Sequence, residues 1–181
     1  MRWIAPVRQA LRLHPDSHCA AVTLVEAEVA RPRAGTLLLS YIVTGKIGDL
    51  CVPPPAAAAR ADELWRHTCF EAFVRPSPGA AYYEFNFAPS TQWAAYRFDG
   101  YRAGMRPAVE IGAPRIEVQA EAERYSLRAW VELDAAAGRA GRLGLAAVIE
   151  EASGNKSYWA LAHPPGKPDF HHADCFVLEF S

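Results

Sequence analysis

The sequence predicts an all-β fold: a two-sheet antiparallel β-sandwich of immunoglobulin-like or jelly-roll type. Three observations predict it. Runs rich in β-branched and aromatic residues recur about ten times along the 181 residues. Clusters of Pro, Gly, Asn and Asp punctuate those runs. No stretch keeps the 3.6-residue apolar period long enough to make a long helix.

Residues 20–29 are rich in strand formers, Pro32, Arg33, Ala34 and Gly35 make a turn, and 36–44 complete a hairpin. On the second strand Leu37, Leu39, Tyr41 and Val43 share one face, and Leu38, Ser40, Ile42 and Thr44 the other. Both faces are largely apolar, which suits a central strand. Residues 45–60 carry Pro53, Pro54 and Pro55 and read as a crossing loop, because proline cannot donate to a central ladder. Residues 56–64 read as a short helical turn. Residues 64–74 and 81–87 form a second hairpin around Pro76-Ser77-Pro78-Gly79, and 92–98 follow, ended by Asp99-Gly100.

Strands are expected at 115–120, 125–133, 143–149, 157–162 and 174–180, with a helical turn at 135–139 and a hairpin turn at Gly154-Asn155-Lys156. In 125–133, Tyr125, Leu127, Ala129 and Val131 alternate with Ser126, Arg128, Trp130 and Glu132. Trp130 is expected to lie under the second sheet. With neither an internal repeat nor a linker, residues 1–181 read as one domain.

Hydrophobic residues make up 51% and charged residues 22%, which is enough apolar matter for a packed core. The 19 basic and 20 acidic side chains nearly cancel, and the arginines are scattered, so a nucleic-acid partner is not expected. No apolar run reaches the ~20 residues that cross a bilayer, and residues 1–15 lack a signal-type apolar stretch. The expectation is a cytoplasmic protein with no membrane contact. Cys19, Cys51, Cys69 and Cys175 form no CxxC pair and read as buried, reduced thiols.

Two segments resemble family 9 carbohydrate-binding modules and their DOMON-like relatives. One is Trp65-Arg66-His67-Thr68-Cys69-Phe70-Glu71-Ala72-Phe73-Val74 followed by Tyr82-Tyr83-Glu84-Phe85-Asn86-Phe87-Ala88-Pro89. The other is the C-terminal run from Lys167 through Phe170, His171 and His172 to Phe180. The segment from Asn86 to Phe98, with Gln92, Trp93 and Tyr96, is similar to a DOMON-like bacterial subfamily of unassigned function. The resemblance implies a small-ligand module in which two aromatic rings clamp a terminal sugar. Trp65 matches the first clamp, and Phe170 stands at the second, where the family usually has Trp. Glu71 matches a carboxylate that accepts from sugar hydroxyls. Asn86 stands where a longer, charged donor is usual, and a glutamine usual near Ala147 is missing. A partner protein is also compatible with such a module.

The residues carry part of this on their own chemistry. On a regular strand Trp65 and Glu71 share a face, as do Tyr82, Glu84 and Asn86 on the neighbouring strand. A ring beside two carboxyls and an amide suits a sugar, whose C–H groups stack and whose hydroxyls bond. Lys167 and His171 are candidates for the rim, and Trp159 for the pocket lining. The expected ligand-binding set is therefore Trp65, Glu71, Glu84, Asn86, Lys167, Phe170 and His171, with no catalytic or metal-ligating residue and no cofactor. Three alternatives stay open. Glu71 and Glu84 could form a glycoside-active carboxylate pair. His163 and His171 could hold a metal. The fold's relatives admit haem, for which Met105 is the one methionine beyond Met1. A structural calcium ion at Asp49, Glu63 or Asp174 is a further option. Trp93, Tyr96 and Tyr101 read as core packing.

Overall fold

The computed structural model describes residues 6–133 and 140–180, and the helical turn expected at 135–139 lies outside them. In chain order the strands are β1 (Val7–Leu13), β2 (Val22–Arg33), β3 (Thr36–Gly45), β4 (Cys69–Pro76), β5 (Tyr82–Phe87) and β6 (Trp93–Phe98). Then come β7 (Arg106–Pro107), β8 (Arg115–Ala120), β9 (Arg124–Glu132), β10 (Gly141–Glu150), β11 (Lys156–Ala160) and β12 (Leu178–Phe180).

These 12 strands join into one sheet, ordered β7-β6-β5-β4-β10-β11-β1-β2-β3-β9-β8, with β12 on the end of β10. The strand ladders are antiparallel. The sheet curls until β3 and β9 face β4, where the Tyr41 and Phe70 rings lie 5.1 Å apart and Phe70 stacks on Tyr125 at 5.9 Å. The expected division into two sheets is corrected accordingly. The cause is β1, which belongs to both halves: Val7 to Leu11 pair with β2, and Arg12 and Leu13 pair with β11. The sequence reading missed this strand. Its signal was Val7, Leu11 and Leu13 in alternation with Arg8 and Arg12, and all three pack on the core.

Period-2 patterning decides what lies inside. Leu37, Leu39, Tyr41 and Val43 of β3 and Tyr125, Leu127, Ala129 and Val131 of β9 all enter the main core. The β4-β5 pair is buried on both faces, which explains its almost unbroken apolar sequence. Phe70, Ala72 and Val74 with Tyr83, Phe85 and Phe87 point into the main core. On the outer face, Phe73 and Tyr82 join Tyr96, Phe98 and Val148 in a second, smaller apolar cluster. Residues 161–177 roof that face through Phe170 and Phe176. The roof sits close, since a Cβ added at Gly144 of β10 would come 2.9 Å from the Cys175 carbonyl oxygen.

Several boundaries differ from expectation. Residues 64–68 are not strand; Leu64–Arg66 form a single 3-10 turn ahead of β4. Residues 56–59 are not helical, because they hydrogen-bond beside β6: Ala56 N–H donates to the Ser90 carbonyl and Trp93 N–H to that of Ala59. The last strand is shortened by a 3-10 turn at Ala173–Cys175. Trp130 lies on the outer face with the Arg115 guanidinium 4.6 Å above its ring, and not under another sheet. Tyr101 is exposed rather than packed. All four cysteines are free; Cys69 and Cys175 are buried as expected, but Cys19 is half-buried and Cys51 exposed. Among the described residues no helix is long and apolar enough to cross a membrane.

Candidate functional site

The outer face of β4-β5-β10 holds polar side chains where a plain core would have none. Glu71 on β4 is 3% exposed, and Glu84 and Asn86 on β5 are 4% and 0% exposed. The register sets Glu71 opposite Asn86 and Phe73 opposite Glu84, so the two carboxyls are diagonal neighbours on one face. Behind them, Tyr41 of β3 donates its hydroxyl to the Glu71 carbonyl at 2.7 Å, fixing β4 from the core side.

Above this floor lies a cleft of about 380 Å³. It is bordered by Trp65, Glu71, Glu84, Phe170 and His171, five of the seven side chains singled out in the sequence. Trp65 reaches it from the 3-10 turn, edge-on to Tyr96 at 6.0 Å. That turn follows Glu63, held at φ 60, a backbone conformation that non-glycine residues seldom adopt. Asn86 lies beneath the cleft and donates from Nδ2 to Glu84 Oε1 at 2.9 Å. Lys167 does not border the cleft; its neighbour Pro168 does. Trp159 turns into the main core and Tyr158 borders the cleft instead, because β11 has the opposite phase to the one expected.

The sequence reading missed Arg102. It also sits at positive φ, 51°, in the β6–β7 connection. Its Nη2 donates to Asp169 Oδ1 at 2.7 Å, and Tyr101 donates its hydroxyl to the other oxygen of the same carboxylate. Asp169 also accepts from the His171 N–H at 3.1 Å. The roof segment and the β6–β7 connection are thus tied across the cleft mouth. Nothing in the local sequence announces this, since the contact joins residues 67 apart.

Burial governs the electrostatics. It pushes the Glu71 carboxyl well above its ordinary range, and the adjacent Glu84 pushes it further. Glu84 is raised by burial too, against the opposing bond from Asn86 and the Arg102 charge. Burial, then the Arg102 charge, lower His171 to about 4, so it is neutral at physiological pH. Its Nδ1 lies 2.8 Å from the Tyr82 hydroxyl and its Nε2 3.7 Å from Glu84 Oε2. Burial opposes ionisation of Asp169, but the bonds from Tyr101 and Arg102 outweigh it and hold the group below its usual value. Glu71 Oε1 is buried with no hydrogen-bond partner among the described residues.

The remaining candidates separate. His163 does not border the cleft: it packs edge-on against His14 and beside Phe170, its ring centroid 6.4 Å from that ring, and its Nε2 is 2.8 Å from the Arg12 carbonyl oxygen. Among the described residues no group of three His, Cys, Asp or Glu could hold a metal, and this covers Asp49, Glu63 and Asp174. Met105 and His171 both border the cleft. His171 is held by the Tyr82 hydroxyl at Nδ1 and by the edges of the Phe73 and Phe98 rings, with Nε2 3.7 Å from Glu84 Oε2.

No family model and no curated protein matches the sequence. Solved structures do. A candidate carbohydrate-binding protein from Bacteroides uniformis superposes with a TM-score of 0.65 at 15% identity, over 94% of this chain and 84% of that one. A carbohydrate-binding module of family 9 from Caldicellulosiruptor kristjanssonii, in complex with cellotriose, superposes with a TM-score of 0.50 at 10% identity, over 86% and 74%. At such identities the likeness concerns architecture: the chain has the all-β, curled antiparallel fold found in a family 9 carbohydrate-binding module.

Proposed function

We propose that the cleft binds a carbohydrate or sugar-like ligand and does not transform it, with Trp65 and Phe170 as aromatic walls and Glu71, Glu84 and Asn86 as polar floor. The observation that carries the reading is the combination in one cleft of ring surfaces with a buried carboxyl oxygen, Glu71 Oε1, that no described residue bonds. Rings take the C–H faces of a pyranose, and a buried acceptor without a partner costs about 1–3 kcal/mol until a donor such as a hydroxyl meets it. The fold shared with the two solved proteins supports the same ligand class. The DOMON-like kinship read from the Trp65 and Tyr82 segments is part of this proposal.

The reading does not use Glu71 and Glu84 as a catalytic pair. A glycosidase pair needs one carboxyl ionised and the other protonated, each in a different environment. Here burial raises both Glu71 and Glu84, and only Glu84 carries opposing partners, Asn86 and Arg102. The test is a titration with mono- and disaccharides and cell-wall sugars, read by tryptophan emission, with Trp65→Ala and Glu71→Ala alongside. A saturable change lost in both variants is expected. A folded protein that responds to none of the sugars would overturn the reading.

A further inference from the structure

The floor carries more acid than a neutral sugar needs. Glu71 Oε1 has no partner, and on Glu84 the Asn86 amide takes Oε1 while Oε2 lies 3.7 Å from His171, beyond hydrogen-bond range. Two diagonal carboxyls thus each keep an oxygen that no donor among the described residues engages within bonding distance, and both border the same cleft. The nearby cation, Arg102, acts on Glu84 only through its charge, since its guanidinium bonds to Asp169 at 2.7 Å. His171 stays neutral. The walls are rings, Trp65, Phe98 and Phe170, whose faces also attract a cation.

We propose that the preferred ligand carries a protonated amine on its sugar ring, seated so that the ammonium donates to Glu71 Oε1 and Glu84 Oε2. This inference rests on the sugar-binding reading above and deepens it. A hydroxyl offers one hydrogen and no charge, so with a neutral sugar the carboxyl pair keeps the proton that burial forces on it. An ammonium offers three donors and the compensating charge, and it makes ionisation of a buried carboxyl favourable. Burial makes both groups weaker acids, and a cation seated between them would oppose that shift.

Calorimetric titration of the full chain with glucose, glucosamine and N-acetylglucosamine tests this. Glucosamine is expected to bind about ten- to a hundredfold tighter than glucose, the worth of one or two charge-assisted bonds. N-acetylglucosamine, which is uncharged, is expected to lose that advantage. In Glu71→Gln the ratio of glucosamine to glucose affinity falls toward one, whatever the absolute affinities become. Equal binding of glucose and glucosamine by the unmodified protein overturns the amine preference and leaves the sugar-binding reading standing. If none of the three sugars binds, both fail together.

Discussion

Replacing Glu71 by Gln is expected to flatten the fall of stability that the wild-type protein shows as pH rises. In the unfolded chain a glutamate ionises near its ordinary value, about 4.3. In the folded protein Glu71, at 3% exposed and beside Glu84, holds its proton to much higher pH. The folded state therefore binds more protons than the unfolded state above the ordinary value, and linkage makes stability decline as pH rises through that window. The slope approaches about 1.4 kcal/mol per pH unit for one carboxyl that stays protonated. That slope is the ceiling for one group, and unfolded histidines (about 6.5) and cysteines (about 8.5) add slopes of their own near those values, so the difference between the variant and the wild type, rather than the wild-type curve alone, isolates Glu71. Glutamine has nearly the same shape and cannot ionise. In the variant Glu84 keeps the Asn86 bond and the Arg102 charge that oppose its own shift. Urea unfolding at half-unit pH steps, followed through the buried Trp93 and Trp159, measures the slope. A variant as pH-dependent as the wild type would show that Glu71 is not the group holding the proton.

Three further outcomes follow from the same geometry. His171, lowered to about 4, binds fewer protons folded than unfolded, so its contribution is full above pH 6.5 and lost as pH falls toward 4. His171→Phe should abolish that acid-side loss of about 1.4 kcal/mol per pH unit, read as the difference between the two proteins' urea midpoints. Gly144→Ala places a Cβ 2.9 Å from the Cys175 carbonyl oxygen and should lift the roof segment, costing about 1–3 kcal/mol in thermal unfolding and weakening any ligand that touches Phe170; an unchanged Tm would mean the roof gives way freely. Asn86→Leu removes the only side-chain donor to Glu84 Oε1 among the described residues, at a wholly buried position, and should cost about 1–3 kcal/mol by urea titration.

The parts of the fold visible in sequence are those set by local alternation. Strands β3 and β9 have one face of Leu, Tyr, Val and Ala that the core consumes, whereas the burial of β4 and β5 on both faces was not read from their apolar sequence. The single curled sheet was not visible, because it depends on β1 changing partners at Arg12, a tertiary choice no local pattern encodes. The two-residue β7 is too short to leave a period. At the site, Glu71, Glu84 and Asn86 stood out as polar residues inside aromatic strands, and the C-terminal resemblance pointed to Phe170 and His171. Trp65 was expected on a strand and arrives by a turn. Tyr158 was overlooked in favour of Trp159, an error of phase that the hairpin register with β10 decides. Arg102 was beyond reach because its place is set by a left-handed backbone and by Asp169 across the cleft.

The central claim is that a sugar ring sits against Trp65 over the Glu71, Glu84 and Asn86 floor. Nitrogen–proton NMR during addition of glucosamine and glucose tests it at the level of single side chains. The account predicts saturable shifts of the Trp65 indole and Asn86 amide signals, with the indoles of Trp93 and Trp159, which lie in the main core, little changed. Shifts confined to other surfaces, or none at millimolar sugar, would contradict it.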